Sequence, residues 1–288
     1  MRFSIIVVCL NAGDKLNDTL DSIFAQDFQD YEVVVKDGGS KDGSIEGMRK
    51  DERIRLYVEQ DKSIYDAMNQ AVGYAKGEYI IFLNCGDSFH DGTVLTKVDE
   101  CIRGEEQENE NAQEGMARQQ DVSADNAKSP RLIVYGNLYN EKTDSWITPA
   151  PVINGFTCYR NVPCHQSCIY DASLCKEKPF EIRFKIRGDY EHFLWCYYKG
   201  GAKMVYLDVT VADYEGGGYS ETKENLKRSK AEHKEITARY MSKGELFKYK
   251  AILLLTLAPL RTKLANSKRF AGVYHKLTAK MYNKNRLR

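Results

Sequence analysis

The amino-acid sequence predicts an α/β fold: a mixed, mainly parallel sheet flanked by helices and followed by a basic helical C-terminal tail. Apolar runs and helix-period segments alternate over residues 3–83, which is typical of parallel strands joined by crossover helices. Polar clusters follow the apolar runs, and basic residues concentrate at the end of the chain. With 288 residues, 42% hydrophobic and 29% charged, the composition is that of a soluble globular protein and excludes collagen-like, coiled-coil and wholly disordered chains.

Four apolar runs mark the strands of the first half. The run Phe3–Cys9 is typical of a strand buried on both faces, and the others are 31–36, 53–58 and 78–83. Between the runs, apolar residues recur at helical spacing over 16–24 and 64–75, and Gly77 is a favoured residue just after a helix end. This order predicts the first half of a Rossmann-like sheet.

The second half of the chain is less regular. Residues 104–129 carry seven acidic and two basic side chains and almost no large apolar ones, which predicts a mobile acidic surface insertion. The segment Gly188–Tyr198 has the apolar stripe of a helix, and strand patterns return at 131–139, 203–207 and 210–214. We therefore expect one domain over 1–220 and a basic amphipathic helical tail over 221–288.

The net charge of +1 conceals a strong asymmetry. From Thr222 onward there are 18 Lys and Arg against 4 Asp and Glu, so the body is acidic and the tail is basic. The overall balance gives no argument for nucleic acid binding. Apolar residues flanked by cations are typical of a surface that contacts an anionic membrane, and we expect such contact through 222–288. Packing on the protein's own body, or on a second subunit of a homodimer, is the open alternative.

Eight cysteines lie scattered through apolar or strand-like segments, without the C-x2-C pair of a structural zinc site. We expect buried, reduced thiols, which are typical of a cytoplasmic protein. Residues 1–10 lack the features of a secretory signal, and the longest apolar stretch, 251–260, is too short to span a membrane. The sequence thus predicts a cytoplasmic protein, peripheral at the inner face of the cytoplasmic membrane if the tail binds lipid.

Polar residues at the carboxyl ends of the predicted strands nominate a ligand site, because the ends of parallel strands meet at one edge of a sheet. Asp37 is followed by two glycines and Ser40, which lets a ligand approach the backbone, and a plain Asp-Gly turn is the alternative. Asp87 follows another buried strand, where an unpaired carboxylate is costly. It suits a divalent cation, Mn2+ or Mg2+, that also binds a substrate diphosphate, and a capping role is the alternative.

Four segments form a combined pattern in this order: the strand-end Asn11, Asp37-Gly38-Gly39-Ser40-Lys41-Asp42-Gly43-Ser44, Glu59-Gln60-Asp61-Lys62-Ser63-Ile64-Tyr65-Asp66-Ala67-Met68-Asn69 and Phe82-Leu83-Asn84-Cys85-Gly86-Asp87. Together they resemble the family 2 inverting glycosyltransferases of the GT-A fold, particularly bacterial capsular and exopolysaccharide enzymes with an Asp-x-Gly-Ile-Tyr-Asp-Ala-Met-Asn segment. The resemblance covers 3–95 nearly continuously and 131–220 more loosely. It implies transfer of a sugar from a UDP or GDP sugar to a hydroxyl of a growing glycan, with a polyprenyl-diphosphate-linked acceptor expected.

The resemblance implies which residues bind this donor. Cys9 and Asn11 would contact the nucleotide, and Asp37 would hydrogen-bond the base. The other donor contacts that it implies are Ser40, Asp61, Lys62, Asp66, Asn69 and Asn84. Asn84 and Asp87 occupy the first and last positions of the family's Asp-x-Asp element, written here as Asn-Cys-Gly-Asp. Because one carboxylate is replaced by an amide, metal binding is expected to rest on Asp87 with help from the diphosphate.

The resemblance also implies a general base. An inverting transfer needs a group that removes the proton of the acceptor hydroxyl as its oxygen attacks. Asp189, near the start of the predicted helix Gly188–Tyr198, matches the position of that base in the family. Glu191 is the nearest rival, and a helix N-cap is the structural alternative for Asp189.

Three further residues and one loop complete the expected site. His165 and Gln166 are implied contacts near the sugar and diphosphate, with an ordinary packed histidine as the alternative. Arg187 is expected to balance the diphosphate charge. The glycine-rich segment 216–220 resembles a loop that orders over the donor, so we expect a lid there.

Two other classes of protein share some of these features. A non-catalytic nucleotide-sugar binding or scaffold protein of the same fold is compatible with Asn84, but the presence of both Asp87 and Asp189 argues against it. No Gly-x-Gly-x-x-Gly opens the first crossover helix and the sequence has no P-loop, which argues against an oxidoreductase or a nucleotidyltransferase.

Overall fold

A mixed sheet of nine strands, flanked by helices, forms the body of the described chain. The structure is a computed structural model that describes residues 1–119, 130–216 and 222–256. The chain divides into two compact units, Met1–Ile236 and Thr237–Arg288. All nine strands lie in the first unit, which also holds every expected site residue.

The strands are β1 Phe3–Cys9, β2 Tyr31–Asp37, β3 Ile54–Val58, β4 Tyr79–Phe82, β5 Ser88–Phe89, β6 Leu132–Asn140, β7 Ser145–Ile147, β8 Cys168–Asp171 and β9 Lys203–Tyr214. Their spatial order is β3-β2-β1-β4-β8-β6-β9-β5, and β7 pairs with β6. The first four strands are parallel, whereas β8 is antiparallel to both β4 and β6. The predicted α/β class is confirmed, and each antiparallel pair includes a strand from the second half of the chain.

The helices are α1 Lys15–Phe24, α2 Ile64–Tyr74, α3 Val94–Gln119, α4 Gly155–Arg160, α5 Ala172–Glu177, α6 Gly188–Tyr198, α7 Lys223–Tyr240 and α8 Lys243–Leu255. Single 3-10 turns lie at Glu141–Thr143 and His165–Ser167. Strand β1 and helix α6 have the predicted bounds. The two strands predicted at 203–207 and 210–214 are one strand, because β9 follows β6 along its length with a shift of register in the middle.

The central strands bring the expected site residues to one edge. Strands β1 and β2 are buried along their whole length, and α1 packs on the sheet through residues such as Leu20 and Ile23. In the parallel register of these strands Cys9 is the partner of Asp37, so both strands end at the same level. Neighbouring β4 runs in the same direction and delivers the 84–87 loop to the same edge.

Helix α3 extends into the segment that was expected to be a mobile insertion. It begins at Val94, is buried at Val98 and Ile102, and continues to Gln119. The Glu, Gln and Ala residues of 104–119 are good helix formers, so they prolong a helix that is already anchored on the sheet. Residues 120–129 lie outside the described residues.

Helix α7 belongs with the body of the protein as far as Ile236, whereas the tail was expected to begin at 221. As far as Ile236 its buried positions are Asn225, Ser229, Glu232 and Ile236, which recur at helical spacing but are mostly polar. Hydrophobic periodicity therefore did not reveal this contact. Residues 217–221 and 257–288 lie outside the described residues, so the lid and the membrane contact stay predictions.

None of the helices in the described ranges is long and apolar enough to cross a membrane. All eight cysteines lie in these ranges, and none forms a disulfide. Five are buried, as expected, and three are half-buried.

Glu232 of α7 fixes the chain where α6 begins. Its carboxylate accepts hydrogen bonds from three consecutive backbone N–H groups, those of Lys185, Ile186 and Arg187, at 2.9, 3.0 and 2.9 Å. Glu232 is 8% exposed, and α6 starts at Gly188, directly after these three residues. One charged acceptor thus satisfies the backbone that leads into the helix carrying Asp189.

We expect Glu232→Ala to lower the free energy of unfolding by about 3 kcal/mol, because three backbone donors lose a charged acceptor. Urea denaturation followed by circular dichroism measures this change. Glu235→Ala is the matched control, since Glu235 lies on the same helix and forms a surface ion pair with Arg183 at 2.6 Å. Equal losses in the two variants would contradict the role of Glu232.

Candidate active site at the carboxyl edge of the sheet

The turn after β2 is organised around the carboxylate of Asp37. The backbone N–H groups of Gly39 and Ser40 each donate to Oδ2 at 2.8 Å. The Ser40 hydroxyl and the Cys9 thiol donate to Oδ1 at 2.5 and 3.6 Å. Burial opposes the charged form, but the hydrogen bonds from Ser40 and Gly39 outweigh it and lower the pKa of Asp37. All four acceptor positions are filled, so a nucleotide base would have to displace one of these donors.

Asn11 closes the same turn from the end of β1. Its φ of 51° is in the left-handed region, which asparagine tolerates better than most residues. Its N–H donates to Ser40 Oγ at 2.7 Å, and its Oδ1 accepts from the N–H of Lys41 at 3.0 Å. Four of the expected donor contacts, Cys9, Asn11, Asp37 and Ser40, therefore lie together.

Lys36 is a buried cation beneath this turn that sequence reasoning missed, because lysine is rarely fully buried. Its Nζ donates to the carbonyl oxygens of Asp37 and Glu59 at 3.1 and 2.5 Å and lies 3.7 Å from Asp61 Oδ2. A Cβ at Gly38 would come within 2.7 Å of the same Asp61 oxygen. Glycine at this position thus lets Asp61 approach the turn, as its expected site role requires.

The side chains of two expected donor contacts on α2, Asp66 and Asn69, form hydrogen bonds within the protein itself. Ser63, the N-cap of α2, accepts from the Asp66 N–H at 3.3 Å, and the Asp66 carboxylate accepts from the N–H of Lys62, the residue before the cap, at 2.8 Å. The Asn69 amide bonds both main-chain groups of Phe180 at 2.9 and 2.8 Å. Asp66 and Asn69 therefore have structural roles, and donor contact by these residues and by the exposed Lys62 stays a prediction.

Thr19 of α1 holds the loop that follows β4. Its hydroxyl accepts from the Gly86 N–H at 3.0 Å and donates to the carbonyl oxygen of Asp87 at 2.8 Å. Gly86 has a φ of 95°, and an added Cβ would lie 2.5 Å from Glu215 Oε2. Glu215, which pairs with Lys15 at 2.6 Å, thus packs against this loop just before the expected lid.

Asp87 is the buried acid of the loop, with 4% of its surface exposed. It accepts from the side-chain amide of Gln166 at 3.2 Å and from the N–H of Glu215 at 3.3 Å. Burial raises the pKa of Asp87 to about 6. Asn84 Oδ1 is also buried, and it has no hydrogen-bond partner in the described part of the chain. Two oxygen donors of the kind that Mn2+ and Mg2+ prefer therefore come from the expected metal element.

These two oxygens do not make a complete metal site. Within the ranges that the structure describes, no group of three or more His, Cys, Asp and Glu side chains could hold a metal ion. A hard cation takes six or more oxygen ligands. A cation at Asp87 therefore fits only if a bound ligand and water supply most of its ligands.

His165 joins the loop after β4 to the start of α6. Its Nε2 lies 3.0 Å from Asn84 Nδ2, and its Nδ1 lies 3.2 Å from Asp189 Oδ2. Because the amide nitrogen can only donate, Nε2 accepts and Nδ1 carries the proton that is donated to Asp189. Gln166, in the same 3-10 turn, contacts Asp87. One short element thus reaches both of the expected functional acids.

Tyr65 holds the other oxygen of Asp189. Its hydroxyl donates to Oδ1 at 2.9 Å and lies 3.0 Å from the carbonyl oxygen of Ile186. A Cβ at Gly188 would lie 2.8 Å from the Tyr65 ring, so glycine at 188 allows this packing. Sequence reasoning gave Tyr65 no role of its own, and its place in the Ile-Tyr-Asp-Ala-Met-Asn segment was the one available signal.

The Asp189 carboxylate is held on both sides and remains accessible, with 27% of its side chain exposed. Burial opposes ionisation, but the hydrogen bonds from His165 and Tyr65 and the start of α6 outweigh it, and the pKa of Asp189 is lowered. Each oxygen keeps a second lone pair. The arrangement can therefore accept a hydrogen bond, and then a proton, from a bound hydroxyl.

Two neighbours of Asp189 are engaged elsewhere. Glu191, the rival base, is fully buried and accepts from Lys178 Nζ at 2.7 Å. Arg187 Nε donates to Ser229 Oγ at 2.7 Å, and its guanidinium lies 5.3 Å from the centre of the Tyr190 ring. The pairing of Glu191 favours Asp189 as the base, and charge balance by Arg187 stays a prediction.

The expected residues form one connected edge. Cys9 contacts Asp37, and its thiol lies beside that of Cys85, so the loops after β1, β2 and β4 come together. The 3-10 turn His165–Ser167 then joins the last of these loops to Asp189. A continuous path of contacts thus connects Asp37, Asp87 and Asp189.

Comparison with solved structures defines the class of fold. S. aureus TarS in complex with UDP matches with a TM-score of 0.61 and 18% identity, over 93% of this chain and 73% of that chain. The mannosyltransferase PcManGT from Pyrobaculum calidifontis, in complex with GDP-Man and Mn2+, matches with a TM-score of 0.53 and 15% identity, over 95% of this chain and 83% of that chain. At these identities the likeness shows the fold alone, which is the expected GT-A fold.

Sequence comparison identifies the family. The model of glycosyl transferase family 2 matches residues 4–105. The PGL/p-HBAD biosynthesis glycosyltransferase of Mycobacterium tuberculosis is 30% identical over 236 residues, which are 78% of this chain and 83% of that protein. The chain belongs to glycosyl transferase family 2, so the expected enzyme class is confirmed.

We expect Tyr65→Phe to lower kcat for sugar transfer about tenfold while leaving KM for the donor unchanged, because Asp189 loses a hydrogen bond of about 1 to 1.5 kcal/mol. That bond lowers the pKa of Asp189, so its loss raises the pKa. The acidic limb of the pH–rate profile is therefore expected to move to higher pH. Steady-state kinetics across pH measure both effects.

Tyr74→Phe is the matched control. Tyr74 lies at the end of the same helix, and its hydroxyl donates to Glu59 at 2.6 Å. It is expected to leave the kinetics unchanged. A Tyr65→Phe profile that coincides with that of Tyr74→Phe would show that Tyr65 does not position Asp189.

Proposed function

We propose that this protein is an inverting glycosyltransferase that moves a sugar from a UDP or GDP sugar to a hydroxyl of a growing glycan. The observation that carries the proposal is the Asp189 carboxylate. It is partly exposed, it is held on both oxygens by Tyr65 and His165, and its lowered pKa keeps it charged at neutral pH. One positioned base beside a donor site supports a single displacement at the anomeric carbon.

The donor is proposed to lie along the loops after β1, β2 and β4. The UDP of the TarS complex and the GDP-Man of the mannosyltransferase complex support a nucleotide diphosphate sugar as the donor class. The turn built by Asn11, Asp37 and Ser40 is pre-organised by its own hydrogen bonds. It therefore offers a nucleotide a rigid surface, with Asp61 at its side.

A divalent cation, Mn2+ or Mg2+, is proposed to bind at Asp87, with Asn84 Oδ1 as a second protein oxygen. The buried position of both oxygens and the raised pKa of Asp87 support this placement, since a cation would stabilise the buried carboxylate. The Mn2+ in the mannosyltransferase complex supports the choice of ion. When bound, the cation offsets the charge that develops on the departing diphosphate.

Asp189 is proposed to take the proton of the acceptor hydroxyl. As the O–H bond breaks, the oxygen forms a bond to the anomeric carbon, and the bond from that carbon to the diphosphate oxygen breaks. The electron pair of the broken bond stays on the nucleoside diphosphate, which leaves. Because the hydroxyl oxygen attacks from the opposite face, the configuration at the anomeric carbon is inverted. Tyr65 and His165 keep the carboxylate in place while it changes from acceptor to protonated acid.

The acceptor is proposed to be a lipid-linked glycan of a bacterial surface polysaccharide or glycolipid. The relative from Mycobacterium tuberculosis is named for PGL/p-HBAD biosynthesis, which supports a role in glycoconjugate synthesis. The cytoplasmic face of the membrane is the location that this acceptor would require.

We expect Asp189→Asn to lower kcat for transfer about 10²- to 10⁴-fold, because an amide cannot take the proton. Binding of the donor should survive, and it is measured as a thermal shift with UDP and GDP sugars in the presence of Mn2+. Asp18→Asn is the matched control, since Asp18 is exposed on α1. This variant should keep both sugar transfer and donor binding. Near-normal turnover in Asp189→Asn would remove Asp189 from the role of base.

We expect Asp87→Ala to abolish the extra thermal stabilisation that Mn2+ gives to the protein with its donor, because the anchoring carboxylate is gone. In the wild type, EDTA should remove the same increment and added Mn2+ should restore it. A Mn2+ increment that persists in Asp87→Ala would show that the cation is held elsewhere.

A further inference from the structure

Asn84 is the amide that replaces the first carboxylate of the family's Asp-x-Asp element, and its two polar atoms have different surroundings. Its Nδ2 lies 3.0 Å from His165 Nε2, whereas its Oδ1 is buried and has no hydrogen-bond partner among the described residues. A carboxylate at this position would present an oxygen to both sides. The amide presents one donor and one acceptor, so it can serve two partners of opposite kind.

The far side of the His165 ring determines what its partner at position 84 must be. Nδ1 of His165 lies 3.2 Å from Asp189 Oδ2. Because an ionised carboxylate only accepts hydrogen bonds, Nδ1 has to carry a proton. In a neutral imidazole Nε2 is then an acceptor and needs a donor opposite it. An asparagine at position 84 supplies that donor, and an aspartate there would not.

The reverse orientation of the Asn84 amide does not fit these contacts. It would place Oδ1 against His165 Nε2, which would then have to be protonated. In a neutral ring the lone pair of Nδ1 would face the Asp189 carboxylate at 3.2 Å. The orientation with Nδ2 toward His165 satisfies both ring nitrogens. It leaves Oδ1, the atom proposed above to bind the cation, without a protein partner in the described ranges.

The His165 ring is held so that these two neighbours decide where its proton lies. Its side chain is 16% exposed, so little of it is in contact with water. The backbone N–H and the hydroxyl of Ser167 both donate to the carbonyl oxygen of Cys164 at 3.0 Å, which fixes the turn. Gln166 attaches the same turn to Asp87 at 3.2 Å. The ring therefore takes the tautomer that its partners require.

We propose that Asn84 is a positioning residue for the base. Its amide nitrogen fixes His165 in the tautomer that is protonated on Nδ1, and this proton holds Asp189 Oδ2. The amide oxygen remains available to the cation, so one side chain connects the cation site with the base. This inference rests on the proposed function and adds to it a reason for an amide at this position of the element.

The tautomer of His165 can be measured directly in the full chain. Long-range proton–nitrogen correlation spectra of protein labelled with nitrogen-15 histidine, recorded at mildly alkaline pH, distinguish protonated from unprotonated ring nitrogens. The signals of His165 are those that disappear in His165→Asn. We expect a protonated Nδ1 and an unprotonated Nε2, the opposite of the tautomer that prevails in free histidine. A wild-type Nε2 that is protonated would overturn the proposal.

Asn84→Asp removes the donor at position 84 and keeps an oxygen. Because a carboxylate only accepts, we expect Nε2 of His165 to become protonated in this variant. An Nε2 that stays unprotonated in Asn84→Asp would show that Asn84 does not select the tautomer.

The same variant separates positioning of the base from cation binding. We expect kcat for sugar transfer to fall about tenfold, the effect of one hydrogen bond, because a neutral His165 ring can no longer donate to Asp189. The KM for the donor and the thermal stabilisation by Mn2+ should be retained. If Asn84 served the cation alone, kcat would be kept or raised, since a carboxylate is a good ligand for a hard cation. An unchanged or raised kcat would therefore contradict the proposal.

Asn17→Asp is the matched control for this exchange. Asn17 is half-buried on α1, and its amide donates to the carbonyl oxygen of Gly47 at 2.9 Å. The same substitution thus removes a comparable hydrogen bond outside the site. It should leave kcat and the His165 spectrum unchanged.

His165→Asn tests whether Asn84 acts through the histidine ring. An asparagine at position 165 has an amide nitrogen at the same place along the side chain as Nδ1, but nothing that corresponds to Nε2. In this background we expect Asn84→Asp to change kcat by less than about twofold, since the two effects share one route. A loss of about tenfold in both backgrounds would show that Asn84 affects turnover by another route.

Failure of this inference is distinguishable from failure of the proposed function, because the His165 spectrum needs neither donor nor acceptor. If the tautomer changes as expected in Asn84→Asp while Asp189→Asn retains turnover, the assignment of the base is wrong and the contact stands. If Asp189→Asn abolishes turnover while Asn84→Asp leaves the tautomer unchanged, the inference alone is wrong.

Discussion

The hydrogen bonds to the Asp189 carboxylate are the constraint on which the rest of the site depends. Tyr65 comes from the start of α2, His165 from the turn before β8, and Asp189 from the start of α6, so three distant segments must meet around one acid. A carboxylate withdrawn from water is costly unless such donors replace its hydration. The pairing of β8 with β4 brings the His165 turn beside Asn84, and Glu232 fixes the backbone that leads into α6. The register of the sheet therefore determines the geometry of the site.

Asp87 and Asp189 lie at the same edge, yet their surroundings act in opposite directions. The hydrogen bonds to Asp87 come from neutral amides, and burial raises its pKa to about 6. Around Asp189 the bonds from His165 and Tyr65 outweigh burial, and its pKa is lowered. Two acids whose pKa values are driven apart by their environments are typical of a division of roles. Asp189 stays charged without help and suits a base, whereas Asp87 gains more from a nearby cation.

The sequence predicted the donor half of the fold well, because a strand buried on both faces and an amphipathic helix each have a periodicity that can be read directly. The prediction was wrong where the buried side chains are polar. Ser229 and Glu232 are buried in α7, so the apolar pattern did not show that this helix belongs to the body. Nor can a sequence show whether a polar side chain binds a ligand or its own backbone. The side chains of Asp66 and Asn69 hydrogen-bond the protein's own backbone, whereas Tyr65, on the same helix, donates to Asp189.

The two halves of the fold differ in what determines their geometry. The family model covers 4–105, where the ends of parallel strands determine the geometry, so the donor half can be inferred from a shared pattern. Residues 138–167 lie outside that match and form short elements and the segments that join them. Such segments vary without disturbing the sheet, and function is carried by sites placed on a common fold. Enzymes with the same donor half can therefore differ in their acceptor.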